Sequence, residues 1–240
     1  MGLGNSLQTA QASGGGAGGG DSGIGGWVEL ARTTLGSTGT AINVTGLANK
    51  RYYMVLASPR RASTGNAGYN FDSSTASDYA FSYSSQGASD GAGTSDTRIF
   101  SNGNGSSTNT LLHVGYVANL ASREKLFYFH AAEAAGSGAG SAPERWESAS
   151  KHAQSSTALT AIGLNSTANY AAGSEIVILG WDPEDTHTSN FWEELASVEL
   201  GSASDTLDAG TILAKKYLWI QTFVKAVGGT VEPDMRFNDD

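Results

Sequence analysis

"WEELASVELGSASDTLDAGTILAKKYLWIQ", residues 192–221, can be laid on "WVELARTTLGSTGTAINVTGLANKRYYMVL", residues 27–56, without a gap. A shift of 165 positions puts Trp27 on Trp192, Glu29 on Glu194, Leu30 on Leu195 and Ala31 on Ala196. The same shift superposes Leu35, Gly36 and Ser37 on Leu200, Gly201 and Ser202, Lys50 on Lys215, and Tyr52 on Tyr217. Nine of thirty positions are identical, and apolar character matches at others, such as Ile42 with Leu207 and Val55 with Ile220. This is an internal repeat, and reading its unit decides the fold. The Leu-Gly-Ser element is expected to end a strand where positive φ is tolerated. In "YLWIQTFV" neither alternating face is plainly polar, so that strand belongs inside a sandwich or at a subunit interface. Trp192, Tyr217, Trp219 and Phe223 are therefore the first assembly candidates.

The second copy ends at "EPDMRFNDD", where the first has "GYNFD" at 68–72 and continues for about 110 residues, from 72 to 183. A third of a sandwich cannot close a core or cover its sheet edges. Three readings stay open: the sequence is a fragment of a longer protein, the segment is completed by strands of an adjacent chain, or it packs back on the first domain.

Between the copies, short runs rich in β-branched and aromatic residues are separated by Gly, Ser, Asn and Asp clusters. They predict strands at 27–35, 40–45, 51–58, 78–84, 97–101, 110–118, 125–132, 144–151, 157–164 and 174–181. With no convincing amphipathic helix, the pattern predicts an all-β protein: an antiparallel β-sandwich or jelly-roll domain, followed by the first strands of a second, incomplete repeat. "SSQGASDGAGTSD" (84–96) and "AAEAAGSGAGSAP" (131–143) read as exposed loops at the ends of the sandwich. "GSEIVILGWDPED" (173–185) reads as the closing strand, stopped at Pro183, which cannot donate to a ladder. The expected organisation is a flexible Gly/Ser-rich arm at 1–26, a β-sandwich at 27–183, a linker at 184–191 and the partial repeat at 192–240.

Composition narrows the function classes. Charged residues are 15% of the chain against a usual share near 25%, and the net charge is −9. An acidic chain whose basic clusters are no longer than a pair, as at Arg60 and Arg61, lacks the cationic surface that displaces counterions from nucleic acid. The absence of cysteine removes disulfides, cysteine-based zinc sites and thiol catalysis. No run approaches 18 apolar residues, so no membrane partner is expected.

No catalytic constellation stands out. His113, His130, His152 and His187 are scattered without the i+3 or i+4 partners of a metal site. No Gly-x-Ser-x-Gly elbow occurs in a strand-to-helix context. Asp90 with Asp96, and Asp182 with Glu184 and Asp185, read as solvated acidic turns rather than Ca²⁺ loops. Glu144 and Glu147 look like an ordinary polar strand face. The expectation is no enzyme, no metal and no cofactor. Among the five tryptophans, Trp27, Trp192 and Trp219 fall at repeat or core positions, and of the other two, Trp146 in "PERWES" is the residue to test for glycan or partner contact.

"GWVELARTTLGS", "ANKRYYMVL", "SREKLFYFH", "SAPERWESASKHA" and "AAGSEIVILGWDP" together resemble a repeat of virion structural proteins from marine tailed bacteriophages and related environmental viruses. The resemblance spans about 27–182 and 192–240. It implies a non-enzymatic virion building block, either a capsid decoration, a head fibre or a tail-associated protein, and it transfers no catalytic residue. Implied partners are other copies of the chain, with a trimer expected, and other virion proteins such as a capsid or tail protein. The alternative is a carbohydrate-binding or adhesive β-sandwich on a virus or cell surface.

Overall fold

A computed structural model describes residues 26–63, 65–87, 90–101, 111–134, 136, 138–182, 192, 195–202, 204, 206–222 and 234–237. The expected arm up to residue 25, the linker at 184–191, His187 and Phe223 lie outside the described residues. The chain divides into two units, Met1–Trp192 and Glu193–Asp240.

The first unit is all-β, with twelve strands: β1 (Val28–Thr34), β2 (Gly39–Thr45), β3 (Tyr52–Ser58), β4 (Ala67–Phe71), β5 (Tyr79–Ser85), β6 (Gly91–Asp96), β7 (Ile99–Ser101), β8 (Leu111–Ala118), β9 (Lys125–Glu133), β10 (Glu144–His152), β11 (Ala161–Tyr170) and β12 (Glu175–Trp181). They form two antiparallel sheets packed together as a β-sandwich. The large sheet has the order β1-β12-β3-β8-β9-β10-β5-β6, and the small one β2-β11-β4-β7.

The two-residue period of a strand turns alternate side chains inward. Along β9, every second residue from Lys125 to Glu133 is buried and the intervening ones are exposed, as a strand with one wet face requires. The inward set of the large sheet, including Tyr53, Val55, Phe127, Phe129, Ile176 and Ile178, meets Ile42, Val44, Tyr69, Phe71, Ile162 and Leu164 of the small one. Rings lock the two layers: Tyr69 and Phe71 both meet Phe127 edge-on, at 4.9 Å and 5.6 Å between centroids. Each such buried side chain stabilises the fold by about 1.5–3 kcal/mol.

β12 is the last strand of the unit, yet it lies second in the large sheet, between β1 and β3. Six of its seven residues are buried, so both of its faces are dry, which accounts for an apolar run in place of alternation. Its register sets Trp181 opposite Tyr52 on β3, and Gly180 opposite Val28 on β1.

Several expectations change. "AGYNF" is a fully buried strand, β4, which the expected strands omit. The 84–96 stretch is not all loop, because residues 91–96 form edge strand β6. Gly91 and Gly93 make that strand possible: a Cβ at Gly93 would sit 2.5 Å from the ring of Phe81, and one at Gly91 would overlap the ring of Tyr83. The strand expected at 157–164 runs instead from 161 to 170. It begins where Asp72 Oδ1 accepts hydrogen bonds from the amides of Thr160 (2.7 Å) and Ala161 (2.9 Å). Gly36 does not adopt positive φ.

In the second unit, the positions that align with β1, β2 and β3 lie outside any strand among the described residues. In the first unit, β1 and β3 do not pair with each other; both pair with β12, while β2 pairs with β11.

Candidate functional site

The residues of the large sheet that point away from the core form an apolar groove of about 760 Å³. One wall is aromatic, with Trp27, Tyr52, Tyr116, Tyr128 and Trp181, and Leu126 lies along it. The floor continues over β10, β5 and β6 on Ala149, Ser82 and Ala92, which stand opposite one another in register. Bulky side chains on β8 and β9 beside Ala and Ser on the next three strands give the trough its shape.

Strand register builds the wall. Tyr116 stands opposite Tyr128 across β8 and β9, and Trp181 opposite Tyr52 across β12 and β3. The rings of Tyr52 and Trp181 stack, 5.4 Å between centroids and 20° between planes. Trp27, just before β1, bridges the two groups at 6.2 Å from Trp181 and 6.3 Å from Tyr116. Tyr116, Tyr128 and Leu126 remain 45%, 46% and 59% exposed, so the sandwich leaves this apolar face in water. Partial burial raises the pKa of the Tyr116 phenol.

The rim is polar. Lys151 pairs with Glu124 at 2.9 Å, and Tyr128 hydrogen-bonds His130, whose ring lies 3.8 Å from Glu147. These exposed pairs are worth at most about 1 kcal/mol each. They set the charge pattern that an incoming surface would meet.

Trp146 is not in this groove. Its inward position on β10 leaves it 6% exposed, stacked on Tyr83 and edge-on to Phe100 at 5.3 Å, so its faces are closed to a glycan or partner. Trp192 is half-buried at the end of the first unit, whereas Tyr217 is half-buried and Trp219 51% exposed in the second.

The histidines divide by surroundings. His113 is buried inside the sandwich, with Nδ1 2.9 Å from the Tyr69 hydroxyl. Burial, aided by the charge of Arg61, pushes its pKa down to about 3. His152 is 1% exposed, contacts Asp78 through Nε2 at 3.0 Å and stacks on Tyr79. Ser148 and Ser150, on the same inward face of β10, bond each other at 2.8 Å. This pair, with His152 buried and Asp78 partly exposed, fixes the β5–β10 end of the core.

Glu144 and Glu147, three apart on β10, point to opposite faces and do not form a facing carboxylate pair. Asp96 caps Thr97, and Asp182 accepts from the amide of Arg51 at 3.2 Å. Among the described residues no three His, Cys, Asp or Glu side chains gather as a metal site would require.

Sequence reasoning passed over the groove residues, although a signal was present. In "LLHVGYVA" and "KLFYFHAAE" the outward positions hold Leu, Tyr, Leu and Tyr where a solvated face would hold polar residues. Comparison of the chain with protein-family models, with curated proteins and with solved structures finds no match.

Proposed function

We propose that the protein is a non-enzymatic structural component of a virus particle, a capsid decoration, head fibre or tail-associated protein. It acts by self-association and by docking to other virion proteins. The observation that carries this reading is the exposed aromatic groove of the large sheet, a surface of the composition that buries well against another protein. The low charge, the internal repeat and the resemblance of its motifs to virion repeats support it further. The small-sheet order β2-β11-β4-β7, in which every neighbour is distant in sequence, supports the jelly-roll wiring.

The test is the native mass by light scattering across a concentration series, together with a search for the protein in purified particles. A multiple of the 24.7 kDa chain, with a trimer expected, reduced to one chain by Tyr116→Ser/Tyr128→Ser, is the outcome this function requires. A monomer at all concentrations that is absent from particles would sink it.

Carbohydrate binding is the second reading, favoured by the stacked Tyr52–Trp181 pair at the groove wall. Glycan-array binding that is lost in Trp181→Ala and kept in Tyr128→Ser would put it first.

A further inference from the structure

The register of the large sheet fixes which outward side chains share a row. One row runs Met54, Tyr116, Tyr128, Ala149, Ser82, Ala92 across β3, β8, β9, β10, β5 and β6. Its side chains change size once, between β9 and β10, from large to Ala and Ser. Trp27 adds to the large half, with its ring 6.3 Å from that of Tyr116. Charge is divided along the same line. His130 on β9 stands opposite Glu147 on β10, with ring and carboxylate 3.8 Å apart. Glu124, just before β9, holds Lys151 of β10 at 2.9 Å. The line between β9 and β10 thus separates large from small, and each acid beside it has a base on the other side.

A two-fold axis in the plane of the face, parallel to the strands and between β9 and β10, lays one such face on another with the rows in step. Tyr128 then comes down on Ala149 of the second copy, Tyr116 on Ser82, and Trp27 towards Ala92. Each contact occurs twice, as an isologous interface requires. The same axis sets His130 over Glu147 and Glu124 against Lys151 of the second copy. Arg145, which stands opposite Ala132, meets Ala132 again, so no like charges are brought together. An axis across the strands would instead stack Tyr128 on Tyr128 and Ala149 on Ala149, a clash beside a void. The area suffices as well. From β3 to β6 the sheet is six strands wide, and β3 and β5 are seven residues long. That face measures about 29 Å by 23 Å, or roughly 1,300 Å² for two copies, within the about 1,200–2,000 Å² of a stable interface.

We infer that the occupant of the groove is a second copy of this chain, seated face to face about a two-fold axis between β9 and β10. Tyr128 of each copy fills the space over Ala149 of the other. The inference rests on the self-association in the proposed function and adds its symmetry and its contacts. An isologous contact closes at two copies, so the mass that belongs to this surface is twice 24.7 kDa, where the resemblance to virion repeats implies three chains. Sheets packed in this way lie about 10 Å apart, the spacing at which side chains of facing sheets interdigitate.

The experiment is complementation between full chains, read by sedimentation velocity. Tyr128→Ala puts small on small at both contacts and Ala149→Tyr puts large on large, so each variant alone should dimerise at least about tenfold more weakly than the parent. An equimolar mixture restores large on small at both contacts. It should recover a dimer of one chain of each kind, within about threefold of the parent affinity. Lys151→Glu and Glu124→Lys repeat the design with charge: each alone is weakened at least about threefold, and the mixture recovers. Mixing cannot repair a contact inside one chain, so recovery reports contact between copies. Urea titration checks each variant for folding, and the charge pair, which leaves the apolar face intact, decides the matter if a tyrosine variant does not fold. A parent that is a trimer overturns the inference, as does a mixture no tighter than its components, or a monomeric parent whose glycan-array binding is lost in Tyr128→Ala. Presence in purified particles is read separately. A trimer found in particles removes this contact and leaves the proposed function, and a complementing dimer absent from particles does the reverse.

Discussion

The indole of Trp146 lies flat on the ring of Tyr83, 4.4 Å between centroids and 14° between planes, with both residues held by the pairing of β10 and β5. The stack sits where two strands must stay in register, so it works as a clamp. Trp146→Ala should cost about 3–5 kcal/mol of stability, read as a lowered urea midpoint. Trp146→Phe should cost less, and neither variant should change glycan or partner binding at concentrations where the protein remains folded.

The groove makes the opposite prediction. Tyr116 and Tyr128 are about half exposed, so removing them forfeits little of the core. Tyr116→Ser/Tyr128→Ser should leave the unfolding free energy, read by urea titration, within about 0.5 kcal/mol of the parent per site. It should weaken self-association at least about tenfold, or about 1.4 kcal/mol, by sedimentation velocity.

His113 gives the fold an acid-sensitive point. The unfolded imidazole titrates near 6.5, whereas in the folded protein its pKa is about 3. Below about pH 6.5 the unfolded chain takes up a proton that the folded chain refuses, so stability falls by about 1.4 kcal/mol per pH unit until about pH 3. Lowering the pH from 7 to 5 should therefore remove about 2 kcal/mol through this group. His113→Gln, which keeps a polar partner for Tyr69, should start less stable at pH 7 and close that much of the gap by pH 5. Parallel pH profiles of the two urea midpoints would refute the assignment.

Asp72 ties the end of β4 to the start of β11. It takes positive φ, 49°, and its Oδ1 accepts from the Thr160 amide and hydroxyl and from the Ala161 amide. Asp72→Ala loses these bonds and keeps the strained backbone, for an expected cost of about 2–4 kcal/mol. Asp72→Asn retains an acceptor on a residue that tolerates this φ and should recover at least about half of the loss, by thermal or urea unfolding.

What the sequence discloses follows from how each strand is used. β8 and β9 are announced by their aromatic and apolar content, and β12 by its apolar run. β6 carries hardly any apolar side chain; it is held by rings lying over its glycines, a cause located on β5. β4 hides because its five residues sit among turn formers, and its burial comes from both neighbours in the small sheet. The groove is a property of residues on seven strands at once, with Trp27 just before β1, and only the strand order in the sheet brings Trp27 near Tyr116. Trp146 was singled out because other tryptophans fall at repeat or core positions, and the strand period turns it inward as well.

The position of β12 also dictates when the protein can become itself. A ribosome releases β1 and β3 long before the strand that must lie between them; Thr34 and its partner Glu175 are separated by 141 residues. During synthesis the early strands wait with open edges, exposed to whatever apolar strand reaches them first. Completion of the large sheet therefore waits until β12 has emerged, and crowded translation on one messenger is the moment of greatest exposure to mispairing between neighbours.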